Sequence, residues 1–485
     1  MWQENISKLK KIFFDWWFIF IFLGIYFISA NILIILRFRQ FEVFYFDHGL
    51  FDQALWLISK FKTPLIDHLA SEPLHQLGDH FTPVLYLLAP FLWLFPSYET
   101  LFILGNLFVV LSAFVIFLIA SEKIKSKIMV FALIFAYLMF VGMQNTLLFA
   151  FHTEQLALFT LALTFYFVEK NKWLFYFLFL FLTLGLKETF VVMVFFLGVY
   201  LTLSKKVKIG IITILISIAY YFLVIYLLIP YFNNSSYLYG TQLYHPFRMV
   251  QQFFYPTIKS QTMLASFATF GFLPIINLSF LSVIFQDYFL RFVLNRSSIR
   301  WDLGLHYNAM VALLMAYSSI KTIEFLNVKK LYKKIINAHA FFIIAFALIF
   351  HQFIYHGPLG LTYNHVFYQR TRDFYFLEEL ISNIPKNSKS VMTANNLAPH
   401  LTHEYEILLF REKYWLWQPD AIVADSRPGQ DTNNFFPLNQ SNFDNMLDIL
   451  EKDPNYEIKR MSDEQFIFIK NKEINMSWYQ QFEEN

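Results

Sequence analysis

Residues 12–36 read IFFDWWFIFIFLGIYFISANILIIL, and Asp15 is the one charged side chain among them. A helix needs about 20 predominantly apolar residues to cross a bilayer, so this run predicts a membrane-spanning helix. A secretory signal would have a shorter apolar core and a small-residue cleavage site, so residues 1–36 read as a retained anchor. The rest of the chain agrees. It is 57% hydrophobic and only 15% charged, more apolar surface than a soluble domain of this length can hide. The 62 Phe suit lipid-facing and packed helix positions, and the 28 Tyr suit the membrane interfaces. The net charge of +3 comes with no basic tract, so nothing points to nucleic acid. There is no Cys, which excludes disulfides, thiolate metal sites and thiol catalysis.

Further apolar runs follow at 98–121, 127–147, 154–169, 173–187, 188–204, 209–231, 262–276, 278–294, 308–326 and 335–355. With the first, these predict a polytopic α-helical membrane protein of about 11 transmembrane helices. Lysines cluster in the short joints: Lys8/Lys10/Lys11, Lys123/Lys125/Lys127, Lys170/Lys172, Lys205/Lys206/Lys208 and Lys329/Lys330/Lys333/Lys334. Counted this way, every cluster falls on one side, which the positive-inside rule makes cytoplasmic. The N-terminus is then inside the cell membrane. The loop at 37–97 and the tail from 356 are outside it. Residues 173–204 can be read as one long helix or as a short hairpin with Lys187-Glu188 at its tip. The hairpin keeps Lys170/Lys172 and Lys205/Lys206 on the same face.

The expected domains are therefore 1–355, a transmembrane domain with a large first outer loop, and 356–485, a small extracytoplasmic α/β domain. In the tail, 374–384 is helix-like, and 390–394, 407–410 and 421–425 look like strands. Residues 443–450 form an amphipathic helix, and 456–461 with 465–470 read as a hairpin turning at Ser462-Asp463-Glu464. No Gly-rich phosphate loop follows any of these strands, so no nucleotide site is expected there.

Five polar constellations interrupt the apolar pattern. The first loop contains Phe46-Asp47-His48-Gly49-Leu50-Phe51-Asp52-Gln53-Ala54-Leu55-Trp56. This predicts a helix along the membrane surface with Leu50, Ala54, Leu55 and Ile58 on its apolar side. Asp47 would stand at its start, where the helix dipole favours a negative charge. The plain reading of Asp47 is an N-cap, and that of Asp52 a bond to loop backbone. Asp79-His80 precedes the next apolar segment. A carboxylate and an imidazole there can bind a divalent metal or orient an anionic headgroup, although sequence neighbours usually point apart. His152 and Glu154 open the run at 154–169. Lys187 and Glu188 are flanked by apolar residues, where charges are costly and functional by default. Arg296 and Arg300, followed by His306-Tyr307, open the run at 308–326, and their plain reading is interfacial anchoring. The topology puts all five constellations on the outer face. Asp52, Asp79, His80, His152, Glu154, Lys187, Glu188, Arg296, Arg300, His306 and Tyr307 are accordingly the expected substrate-binding set. Asp79, His80, His152 and Glu154 are the candidate ligands for a divalent metal, the one cofactor the residues suggest.

The ordered motifs Asp47-His48-Gly49-Leu50-Phe51-Asp52-Gln53-Ala54-Leu55-Trp56, Gly78-Asp79-His80-Phe81-Thr82-Pro83, Phe151-His152-Thr153-Glu154, Lys187-Glu188 and His306-Tyr307 resemble a prokaryotic family of membrane proteins known only as a domain of unknown function. The tail stretch Ala398-Pro399-His400-Leu401-Thr402 resembles it too. That family is itself similar to the GT-C glycosyltransferases. The resemblance implies a GT-C-like fold, a polyprenyl-phosphate-linked sugar donor and a glycan, lipid or protein acceptor. It also implies a catalytic acid in the first outer loop, at the position of Asp47. A transporter or flippase is the alternative, and it calls for charges at mid-membrane depth and broken helices meeting there. A non-catalytic scaffold for the tail is the third reading, and it leaves the acid- and His-rich loop unexplained.

Overall fold

The computed structural model describes residues 14–69, 72–239, 245–294, 297–327 and 330–482. Lys8, Lys10, Lys11 and Lys329, which help to orient the chain above, lie outside these residues, and so does Arg296. The chain divides into two compact units. One holds residues 1–34, 80–85 and 102–364; the other holds 35–79, 86–101 and 365–485.

The first unit is helical. Its main helices are α1 (Trp17–Arg39, which continues into the second unit), α2 (Glu99–Lys123), α3 (Lys127–Met139), α4 (Thr153–Glu169), α5 (Trp173–Leu184), α6 (Phe190–Leu203), α7 (Val207–Leu223), α8 (Leu278–Phe289), α9 (Ala309–Leu326) and α10 (Lys330–Ile349). Eleven spans are expected from the apolar runs. Among the described residues, five helices are by themselves long and apolar enough to cross a membrane. A sixth forms if α3 and Val141–Leu147, bent by 51°, count as one span. Other apolar runs fold as shorter helices such as α5 and α6.

Apolar side chains alone do not say which helices face lipid. The span containing α9 has the lowest mean hydropathy of the five, 1.4, yet is 78% buried; the span containing α7 has 2.5 and is 17% buried. Lipid tails are as apolar as leucine, so an apolar helix such as α7 has no reason to leave them. The less apolar α9 is the centre of the unit and packs on α3, α4 and α8. Helices α6 and α7 approach closely through glycines. A Cβ on Gly198 would stand 2.8 Å from the Gly210 carbonyl, and one on Gly210 2.6 Å from the Gly198 carbonyl. Small residues bring membrane helices together in this way.

The chain reverses at 185–189. Tyr176 bonds Thr213 at 2.8 Å and Tyr220 bonds the Leu184 carbonyl at 2.9 Å, so α5 runs with α7. Ser217 bonds the Val191 carbonyl at 2.7 Å, while Gly210 meets Gly198 and Thr202, so α6 runs against α7. Helices α5 and α6 are therefore antiparallel, with Lys187 and Glu188 in the turn between them. The lysine joints gather at the opposite end of the unit. Lys123 reaches Glu324 (2.7 Å) and Glu169 (3.0 Å), Lys321 reaches Glu169 (3.1 Å), and Lys206 reaches Asn171 (2.6 Å). Glu154 and Glu169 lie at the two ends of α4, about 22 Å apart at 1.5 Å per residue.

The second unit is built on a five-stranded sheet of order β4-β3-β5-β7-β6. Its strands are β3 (Ser390–Thr393), β4 (Glu406–Leu409), β5 (Ala421–Asp425), β6 (Tyr456–Ser462) and β7 (Gln465–Lys470); β1 (Leu65–Ile66) and β2 (Leu74–His75) form a separate small pair. Strand β3 is parallel to both β4 and β5, and β7 is antiparallel to β5 and β6. The β5 side chains are buried along the whole strand, as expected of a central strand covered on both faces. Helix Gln440–Leu450 buries Phe443, Met446, Leu447 and Leu450.

Residues 37–79 and 86–97 of the first loop belong to this unit, while 80–85 belong to the first. Helix Leu50–Ser59 does bury Leu50, Ala54, Leu55 and Ile58 as its pattern suggests. It also buries Phe51, Asp52 and Gln53, so it is an internal helix here and not an amphipathic surface one. Asp47 does not cap it directly but sits in the π-helical turn Tyr45–Gly49 that leads into it.

Candidate functional site

The first unit gathers eight of the expected site residues at the end opposite its lysine joints. Glu154 opens α4, preceded by the cap residue His152. Lys187, from the α5–α6 turn, donates to Glu154 Oε1 at 2.8 Å. Glu154 Oε2 stands 3.4 Å from His152 Nδ1. The His152 and His306 rings stack at 4.1 Å, and Phe149 meets His306 edge-on at 4.7 Å. Tyr307 follows, its ring 4.1 Å from that of His306, with the Arg300 guanidinium over it at 4.6 Å. On the other side of Lys187, Glu188 accepts from Tyr237 Oη (2.7 Å) and the Phe81 N–H (3.2 Å) and pairs with His80 Nδ1 (2.9 Å). His80 also stacks on Tyr239 at 4.7 Å. A continuous polar chain thus runs from His80 through Glu188, Lys187, Glu154, His152 and His306 to Tyr307 and Arg300.

The cluster is dry and rigidly supported. Glu154 and Glu188 are 4% and 2% exposed, so their charges persist only because they are paired. The His152 N–H donates to Gln155 Oε1 (3.3 Å), and Gln155 in turn donates to the Ala150 carbonyl (3.3 Å). Gln155 lies against Gly105 of α2, where a Cβ would stand 2.2 Å from its Oε1 and 3.2 Å from Phe151. Gly105→Ala is therefore expected to displace Gln155 and cost about 1–3 kcal/mol, as overpacking does. The thermal unfolding midpoint in detergent reads this loss, and an unchanged midpoint would show that Gln155 yields freely.

Tyr237, Tyr239, Gln155 and the Asp287–Arg291–Asn308 chain are additions that the motifs do not mark. Arg291 bridges Asp287 (2.8 Å) and Asn308 Oδ1 (2.8 Å) and reaches the Arg300 carbonyl (3.1 Å). The i,i+4 Asp287/Arg291 spacing within an apolar run was the available signal.

The second unit holds the remaining described candidates, Asp47, Asp52 and Asp79. The turn bearing Asp47 is seated at the carboxyl end of β3. The Tyr45 N–H donates to the Asn395 carbonyl (2.8 Å) and the Phe46 N–H to Asn395 Oδ1 (3.0 Å), while Phe46 packs on His68 and Phe436. Asp79 pairs with His68 Nε2 at 3.3 Å. Asp52 is fully buried and accepts from Thr402 Oγ1 (2.6 Å), with His403 Nε2 at 3.0 Å. Burial alone would raise the Asp52 carboxyl, but His403 and the Thr402 hydroxyl outweigh it and hold the group below the usual carboxylate range. The His403 ring is sandwiched between Trp56 and Tyr98, each at 4.1 Å. Asp67 accepts the Leu409 N–H (2.7 Å) and pairs with Arg411. The tail motif 398–402 and the first-loop motif thus meet through named bonds within one unit.

Among the described residues, one group of three or more ligand-type side chains converges closely enough to hold a metal: His152, Glu154 and His306, with their ligand atoms within 4.8 Å of one another. Of the four metal candidates expected from the sequence, His152 and Glu154 belong to it. Asp79 is paired with His68, and His80 with Glu188.

Fold and site together define a multi-helix membrane protein with an acid- and histidine-rich cluster at one end of its helices. The chain belongs to the family described as "Predicted membrane protein (DUF2079)", whose sequence profile matches residues 37–467. No curated protein matches it in sequence. Its fold is similar to the crystal structure of ArnT from Cupriavidus metallidurans bound to undecaprenyl phosphate. The TM-score is 0.56 at 9% identity, over 93% of this chain and 97% of that one. The resemblance expected from the ordered motifs is thereby borne out for family and fold.

Proposed function

We propose that this protein is a GT-C-type glycosyltransferase that moves a sugar from a polyprenyl-phosphate-linked donor to a glycan, lipid or protein acceptor on the outer side of the cell membrane. The observation that carries this reading is the ArnT-like fold along almost the whole chain. In this proposal all eleven apolar runs cross the membrane, and the short ones do so by tilting or local thinning. The N-terminus is cytoplasmic and residues 356–485 are extracytoplasmic. The donor's prenyl tail lies among the helices with its phosphate at the outer interface. Asp47, on a turn fixed by Asn395, takes the proton of the acceptor hydroxyl. The acceptor oxygen forms the new bond to the anomeric carbon as the phosphate oxygen leaves, and one such displacement inverts the configuration.

Purified protein incubated with polyprenyl-phosphate sugars and candidate acceptors tests this. Asp47→Asn is expected to lower product formation by about 100-fold or more, the usual effect of losing a general base. Full activity in that variant removes Asp47 from the mechanism. Reconstituted protein that translocates the lipid without forming product would favour the flippase.

A further inference from the structure

We infer that His152, Glu154 and His306 form a binding site for one divalent transition-metal ion of the zinc or manganese class. The three residues are 8%, 4% and 2% exposed, and their ligand atoms lie within 4.8 Å of one another. The second observation is His306 itself. Both of its ring nitrogens are buried without a hydrogen bond among the described residues. A buried imidazole in that state loses the hydration of a donor and an acceptor and gains no hydrogen bond in return, an arrangement native structures rarely leave unexplained. A coordinated cation would use one of those nitrogens.

The donor set decides the class of ion. Two imidazoles and one carboxylate suit zinc, manganese, iron(II) or cobalt, whereas magnesium and calcium prefer all-oxygen shells. Three protein ligands leave at least one position open for water or a substrate oxygen, the pattern of a reactive site and not of a closed structural one. Glu154 divides its oxygens suitably. Oε1 takes Lys187, and Oε2 faces His152. The site is splayed as it stands. A tetrahedral shell with bonds of about 2.1 Å needs its ligands about 3.4 Å apart. The stacked rings of His152 and His306 must therefore turn edge-on about their Cβ–Cγ bonds as the ion enters. Lys187 supplies a positive charge beside the ion, so an anionic oxygen ligand in the open position would tighten binding.

This inference stands independently of the glycosyl-transfer reading, because occupancy is read without any reaction. Untagged protein in detergent, stripped with chelator, would be titrated with Zn²⁺ and with Co²⁺. Elemental analysis then gives the stoichiometry, and the Co²⁺ absorption spectrum reports nitrogen ligation. One ion per chain is expected, with His306→Ala and Glu154→Gln each weakening it at least 10-fold, while Asp47→Asn keeps it. Wild-type protein that takes up no stoichiometric ion overturns the site, as does undiminished binding in His306→Ala. If His306→Ala does not fold, His306→Gln and the wild-type Co²⁺ spectrum decide. A spectrum lacking nitrogen ligation overturns the assignment.

Discussion

Lys187→Met is expected to cost the protein about 3–5 kcal/mol of folded-state stability. Lys187 and Glu154 have side chains only 11% and 6% exposed. Truncating one partner leaves the other charge buried without compensation, and that penalty exceeds the net worth of the pair. The same chemistry is weaker where water reaches it. The Lys123 and Glu324 side chains are 24% and 35% exposed, and a pair of that kind is worth about 0–1 kcal/mol. The double variant Glu154→Gln/Lys187→Met removes both charges and should recover much of the loss, with a coupling energy of about 2–3 kcal/mol. Unfolding in mixed micelles under chelator measures all four corners of the cycle with no bound metal ion contributing. A Lys187→Met variant within about 0.5 kcal/mol of wild type would mean that water reaches Glu154 and that the cluster is not the dry site described.

What could be read in advance follows from the range of the interactions concerned. Strands β3, β5, β6 and β7 announce themselves because alternation and turn residues are local signals. The turn at Lys187-Glu188 is legible because two charges interrupt an apolar run. The seat of Asp52 is not. Its partners Thr402 and His403 lie some 350 positions away and carry no periodic mark, so Asp52 could only be read as a loop carboxylate. His306 was visible as a polar start to a helix. Its convergence with His152 and Glu154 depends on how α9 packs against α4, which hydropathy does not encode. The burial of α9 escapes for the same reason, since lipid and protein core both accept an apolar helix.

Acidification below pH 6.5 is expected to loosen the second unit through His400, by about 1.4 kcal/mol per pH unit. The His400 ring is stacked between Phe38 at 3.9 Å and Phe41 at 4.1 Å. Burial pushes it down to about 3, with His48 acting in the same direction and a bond to the Phe38 backbone opposing. The folded chain therefore keeps His400 neutral in a range where the unfolded chain protonates it. The stability it supports is whole above the unfolded value of about 6.5 and drains as pH falls toward the folded value. Asp52 acts elsewhere on the scale. Its depressed carboxyl gives stability that is present above about 4 and lost only as pH falls through its folded value, so it adds nothing between pH 6.5 and 4.5. His75, also lowered by burial, works in the same sense as His400. Comparison with His400→Phe separates the two, because phenylalanine can keep the stack and cannot titrate. That variant forfeits the bond to the Phe38 backbone, about 1 kcal/mol at neutral pH. Its unfolding free energy should then fall by about 2–3 kcal/mol less than wild type between pH 6.5 and 4.5. Parallel curves for the two proteins would place the proton uptake on another group and leave His400 as packing alone.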